Sequence, residues 1–183
     1  MRIHFFPSGT TDFSVKNAIS PWHDIPLHLK QAVMDERGVQ ISPAVFAYVN
    51  EIPKNTIAKH EVATTEEKNP IKQDTKQGKL RSFTYGKIPF NYGCLPQTWE
   101  DPHKAEEESK CKGDNDPLDV VEISPGALPE GAVIPGTVKM QGEKETRLLA
   151  ENKIKYTCSF FTFLFTFFNR RGRTVWTYHS LLL

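Results

Sequence analysis

The chain alternates short β-forming stretches with polar segments punctuated by glycine or proline. That pattern predicts many short strands rather than long helices. Arg2 to Phe6 predicts a first strand, and Ser20 to Pro26 a structured loop that packs Trp22 between two prolines. Residues 30 to 40 are polar, hold Gly38 and read as a loop. Ala44 to Ile52 and Ile57 to Ala63 predict strands, rich in β-branched and aromatic residues. Alternation in the second puts Lys59 and Glu61 on one face, opposite Ala58, His60 and Val62. Thr64 to Gly78 reads as a long polar loop, after which Lys79 to Phe83 resumes β character and carries Arg81. Phe90 to Gly93 predicts an aromatic turn, His103 to Lys112 a charged excursion and Leu118 to Ile123 a strand. Ala132 to Met140 predicts further strand, interrupted at Pro135.

The pattern changes after Gly142. Glu143 to Lys155 predicts a short polar helix. Phe160 to Phe168 is an uncharged aromatic run, too short to cross a bilayer, which needs about 20 apolar residues. Its β-propensity and lack of proline are those of an aggregation-prone segment. We therefore divide the chain into a domain of residues 1–142 and a divergent tail of residues 143–183.

At 183 residues and 38% hydrophobic content, the chain is long enough for one domain with a real core. A net charge of +1 favours neither nucleic acid nor a membrane surface as partner. Three cysteines, Cys94, Cys111 and Cys158, form no C-x-x-C pair, which argues for a reducing compartment. A zinc site from Cys94, His103 and Cys111 lacks the usual spacing and a fourth ligand. No secretory pattern opens the chain, and a strand starting at its first residues leaves no room for a transit peptide, so the expected location is cytoplasmic, with plastid and mitochondrion open.

The chemistry concentrates in Gly113-Asp114-Asn115-Asp116-Pro117-Leu118-Asp119-Val120, where three carboxylates fall within six residues. Anions this close repel unless cations neutralise them, and oxygen-only donors suit a hard ion, Mg²⁺ or Mn²⁺. In an extended chain Asp114 and Asp116 share a face and Asp119 points away; a turn at Pro117 is expected to bring the three together. A calcium loop of the EF-hand type fits poorly, because Leu118 stands where a ligand belongs and no glycine follows. Lys59, Arg81 and Tyr92 upstream offer a point charge, a planar fork and a hydroxyl for phosphate oxygens. No Gly-rich P-loop is present, so nucleotide binding of that kind is not expected.

Asp-Asn-Asp-Pro-Leu-Asp-Val resembles the signature of the first family of soluble inorganic pyrophosphatases. Ser-Pro-Trp-His-Asp-Ile-Pro at 20–26, Glu-Ile-Pro-Lys at 51–54 and Ala-Lys-His-Glu-Val-Ala at 58–63 agree with it. So do residues 70–81 and Asn-Tyr-Gly-Cys-Leu-Pro-Gln-Thr-Trp-Glu-Asp-Pro at 91–102. The resemblance runs from residue 2 to about 142 and is closest to the eukaryotic branch, plastid forms included. It implies a mainly β (α+β) fold, an OB-like five-stranded β-barrel with flanking helices, here incomplete at its C-terminal end. It further implies Mg²⁺-dependent hydrolysis of pyrophosphate to two phosphates, without nucleic acid or membrane, and a homodimer. By position, Asp114, Asp116, Asp119 and Glu51 match metal ligands. Asp116 matches the catalytic carboxylate beside the metals that takes the proton of the attacking water. Glu61 matches a carboxylate behind the direct ligands, and Lys59, Arg81 and Tyr92 match substrate-binding positions.

Two departures follow from the same resemblance. Asn55 stands where the family has tryptophan. From about Gln141 the family's second acidic segment, with two more aspartates and a lysine, is missing, as are a later Tyr-Lys pair and a long helix. The chain is thus expected to be a pyrophosphatase, or else an inactive truncated relative that binds Mg²⁺ or a full-length partner.

Overall fold

A computed structural model describes residues 2–6, 8, 14–42, 44–105, 112–139 and 163–166. Its strands are β1 Arg2–Ile3, β2 His28–Lys30, β3 Val33–Met34, β4 Gln40–Ser42, β5 Val45–Ile52, β6 His60–Val62 and β7 Ile71–Gln73. They continue with β8 Thr75–Lys76, β9 Lys79–Leu80, β10 Asn91–Cys94, β11 Asp119–Glu122, β12 Val133–Lys139 and β13 Phe163–Thr166. One 3₁₀ turn covers Val15–Asn17, and no α-helix occurs among the described residues. The helix expected over 143 to 155 lies outside them.

β5 is the wall on which the rest is built. It pairs with β10 on one edge and with β12 on the other, and β10 pairs in turn with β11. Residues 2–139 leave a gap between β11 and β12, so the barrel they form is open. The four residues of β13 lie in that gap, parallel to β11 and antiparallel to β12. Residues 163–166 of the Phe-rich run thus realise its high β-propensity as a strand. β1, β7 and β6 form a separate three-stranded sheet.

Every residue of β5 after Val45 is buried, because both of its faces carry a core. Phe46 and Tyr48 pack with Leu27, Leu95, Leu118 and Val120. Ala47 and Val49, one step out of phase, pack with Trp22, Ile25, Val62, Ile71 and Cys94. Burying these apolar side chains, worth about 25 cal/mol per Å² of apolar area removed from water, favours the folded chain. Trp22 is buried as the sequence suggests, its Nε1 donating to the Thr98 carbonyl at 2.6 Å.

Four segments differ from the sequence reading. Residues 30–40 are no loop: the Asp35 carboxylate accepts from Arg37 N and Val39 N at 2.9 and 2.8 Å, and this turn joins β3 to β4. Its polarity is that of the turn alone. Residues 64–78 likewise divide. Asn69 closes a compact turn with Nδ2 bonds to the carbonyls of Ala63, Thr64 and Glu66, after which β7 pairs with both β1 and β6. Pairing on two sides outweighs the polar side chains of Lys72 and Gln73. Phe90 to Gly93 contributes to strand β10 rather than a turn, and Gly93 is required there: a Cβ would stand 1.9 Å from the Val49 carbonyl oxygen. Finally, β12 continues through Pro135. Val133 to Gly136 pair with β5 and Thr137 to Lys139 with β13, so the strand changes partner just after the proline.

Candidate active site

A cleft opens where β5, β6, β10 and the acidic turn meet. It is lined by Glu51, Lys59, His60, Glu61, Val62, Tyr92, Asp114, Asp116, Pro117 and Asp119. Seven of the eight residues singled out from the sequence therefore converge. The eighth, Arg81, stands beside the cleft, joined to it through Asp74.

The acidic turn is made by its own backbone. Asn115 adopts φ +77°, and Asp116 N donates to the Asp114 carboxylate at 3.2 Å. This left-handed residue, one of the few types that tolerates the region, breaks strand alternation before Pro117 does. The turn is laid against residues 100–101: Asn115 N donates to the Glu100 carbonyl at 3.0 Å, Glu100 N to the Asp116 carbonyl at 2.9 Å, and Gly113 N to the Asp101 carbonyl at 3.1 Å. A Cβ on Gly113 would sit 2.2 Å from the Glu100 carbonyl carbon, so glycine is needed for this approach. Behind the turn, Leu118 N donates to Thr98 Oγ1 at 2.8 Å and anchors the start of β11.

The other groups come from the neighbouring strands β5, β6 and β10 and, for Lys59, from the residue just before β6. Glu51, at the buried end of β5, accepts the Val62 N–H at 2.7 Å. Lys59 Nζ bonds Glu61 Oε2, as their shared strand face predicts. Tyr92 on β10 is bonded through its hydroxyl to Asp119 on the adjoining β11.

Crowding and burial set the charges. Burial, then the neighbouring Asp114, pushes the Asp116 carboxyl up to about 6. Burial pushes Asp119 up to about 6 against the opposing Tyr92 bond. Glu51 is raised well above the usual carboxylate range by burial and by Asp119, and Tyr92 is raised by the same two causes. Glu61 is raised by burial, with Lys59 opposing. Lys59 is lowered by burial but raised on balance by Glu61.

Two residues absent from the sequence-derived set belong to this environment. Glu100, only 7% exposed, is pushed up to about 8 by burial and then by Asp114, Asp119 and Asp116. Asp74 bonds Arg81 Nη1 and faces Lys59. A signal for Asp74 existed. Gln77 and Gly78 both take positive φ, as a two-residue hairpin turn requires, and the register Thr75↔Leu80, Lys76↔Lys79 brings Asp74 opposite Arg81. The zinc alternative fails at Cys94, which is buried in the core, while His103 is exposed and Cys111 lies outside the described residues.

A family model described as inorganic pyrophosphatase matches residues 48–159, more than half of the chain. Soluble inorganic pyrophosphatase 6, chloroplastic, of Arabidopsis thaliana is 56% identical over 106 residues, covering 57% of this chain and 31% of its own length. Inorganic pyrophosphatase 2, mitochondrial, of Mus musculus is 44% identical over 151 residues, covering 73% and 45%. Among solved structures, an N-terminally truncated Trypanosoma cruzi vacuolar soluble pyrophosphatase in complex with PPi superimposes with a TM-score of 0.58. It is 42% identical, over 66% of this chain and 45% of that one. The chain thus spans less than half of each of these relatives. The shared architecture is an OB-like β fold of the pyrophosphatase type, incomplete in this chain. The acidic turn on β11, the phosphate-suited cations beside it and the family match agree, and the chain belongs to the inorganic pyrophosphatase family.

Proposed function

We propose that the chain hydrolyses inorganic pyrophosphate to two phosphates with a hard divalent cation, Mg²⁺ or Mn²⁺. One observation carries this: five carboxylates line the cleft against one ammonium. Such a cleft repels a phosphate anion until cations neutralise it. The donors are all oxygens, which suits Mg²⁺, and burial and mutual repulsion raise several of their pKa values, as expected of carboxylates awaiting a cation. Among the described residues no three acidic, histidine or cysteine side chains already close on one point. Mg²⁺ commonly needs only one or two carboxylates from the protein, so these residues fit it.

Asp114, Asp119 and Glu51 are the groups we assign to holding the ions, with Glu61 behind them. When bound, the ions neutralise pyrophosphate and acidify water. Asp116 titrates near 6, so at neutral pH it is ionised and able to take a proton from the water that attacks phosphorus. As the new P–O bond forms, the bridging P–O bond breaks and the second phosphate leaves. Lys59, Arg81 and Tyr92 hold its oxygens and offset its growing charge. The PPi complex of the Trypanosoma cruzi relative supports this ligand. The family's eukaryotic members imply a homodimer, which sedimentation of the purified chain would check. The relatives carry both chloroplastic and mitochondrial names, so the family serves more than one compartment.

Phosphate release from pyrophosphate by the purified chain, with Mg²⁺ and with excess chelator, tests the proposal. Release that requires the cation and is lost in Asp116→Asn supports it. A chain that gains thermal stability from Mg²⁺ yet releases no phosphate is a binding relative only, and hydrolysis is refuted.

A further inference from the structure

Residues 70–81 resemble the family throughout, yet only Arg81 among them has a role in the site described above. Asp74 stands between the two cations. Its Oδ2 bonds Arg81 Nη1 and lies 3.5 Å from Lys59 Nζ. The carboxylate side chain is 14% exposed, against 44% for Arg81, so the arginine is held by a partner more fixed than itself. The backbones of the three residues form a closed cycle. Asp74 N–H donates to the Lys59 carbonyl at 2.8 Å, Lys59 N–H to the Arg81 carbonyl at 3.1 Å, and Arg81 N–H to the Asp74 carbonyl at 2.8 Å. Gln73 Nε2 adds a bond to the Arg81 carbonyl at 2.7 Å.

That cycle sets the three backbones without help from any carboxylate. It leaves the side chains to find their own partners: Lys59 Nζ bonds Glu61 Oε2, whereas Arg81 is long, flexible and half in solvent. Asp74, itself hydrogen-bonded to Glu61, joins the Lys59–Glu61 pair to Arg81 and directs the guanidinium. Asp74 does not itself line the cleft, and its facing oxygen is already satisfied by two cations, so it is poorly placed to serve an ion.

Resting on the reading of the cleft as a phosphate site, we propose that Asp74 is a positioning residue: its Oδ2 holds the Arg81 guanidinium beside the Lys59 ammonium so that both meet one phosphate. The residue touches neither substrate nor metal ion and acts through Arg81.

The test is calorimetric titration of the purified chain with inorganic phosphate in the presence of Mg²⁺. The variants are Asp74→Asn, Arg81→Ala and the double variant, with urea midpoints measured alongside. Asp74→Asn is expected to weaken phosphate binding by about tenfold, the lower end of what the loss of an orienting partner costs. In the Arg81→Ala background the same change is expected to cost nothing further. Asp74→Glu, which keeps the charge, is expected to recover part of the affinity; it also replaces Asp74→Asn should that variant not fold. Undiminished binding by Asp74→Asn overturns the proposal. So does an equal loss with and without the Arg81 side chain, which would make Asp74 a structural or ligand residue. If the unaltered chain binds no phosphate, the phosphate-site reading fails and takes this role with it.

Discussion

Asp119→Asn gives the sharpest view of the site's electrostatics. In the metal-free chain the Asp119 carboxyl titrates near 6, against an ordinary value of 3.8. Two pH units correspond to about 3 kcal/mol, by which the folded state disfavours the ionised carboxylate relative to the unfolded chain. The sign follows from proton binding. Between pH 4 and 6 the folded state holds the proton more tightly, so stability is greatest below pH 4 and is lost as pH rises through 6. At pH 8 the full penalty applies. Asparagine removes the charge and retains a carbonyl oxygen for the Tyr92 hydroxyl, at a cost of about 1 kcal/mol for the weaker acceptor. The variant should therefore be more stable than the parent at pH 8 by about 1–2 kcal/mol, a rise in Tm of about 2–8 °C for a chain of this size. Differential scanning calorimetry in chelator at pH 8 and pH 5 measures this. The advantage should shrink strongly at pH 5, where the parent keeps its proton. Added Mg²⁺ should raise the parent's Tm at pH 8 more than the variant's, because the variant has lost a donor. A variant no more stable at pH 8, or one whose advantage persists at pH 5, would sink the account of Asp119 as a strained anion.

Other consequences can be measured independently. Since Asp116, Asp119 and Glu100 titrate near 6, 6 and 8, Mg²⁺ binding at pH 7 should release protons, seen as a dependence of the calorimetric heat on buffer ionisation enthalpy. A buffer-independent heat would mean these groups are already ionised. Gly93→Ala drives a Cβ to 1.9 Å from the Val49 carbonyl and should destabilise by about 3 kcal/mol or more, read from urea midpoints. Phe165→Pro removes a ladder donor from β13, whose residue 165 pairs with Glu122 and Val138, and should cost about 3 kcal/mol if that strand closes the barrel. An unchanged midpoint would show that β13 adds nothing to stability.

The local expectations that agree with the structure rest on short-range physics. Alternation alone places Lys59 with Glu61, and the β-branched run of residues 45–52 forms β5 as its composition predicts. The loops that proved to be hairpins failed for the same kind of reason. In residues 30–40 and 64–78 the polar and glycine signals belong to turns of a few residues, and the strands beside them depend on partners distant in sequence. Phe90 to Gly93 resembled a turn because of its glycine, whose actual task is to let β10 approach β5 closely. Glu100 could not be found from sequence because its character comes from burial and from three aspartates folded against it.

The sequence by itself determined the chemistry of this protein. It names oxygen donors of a kind that suits a hard cation, cationic side chains of a kind that suits phosphate oxygens and a turn able to gather them, since side-chain type and near-neighbour spacing are properties of the chain. Tertiary structure decided what those groups feel. It placed Glu51 in the core, set Asp116 and Asp119 near 6 by burial and crowding, and put Asp74 between Lys59 and Arg81. Dielectric environment and long-range pairing exist only once the chain has folded, so no reading of the acidic turn alone could have supplied them.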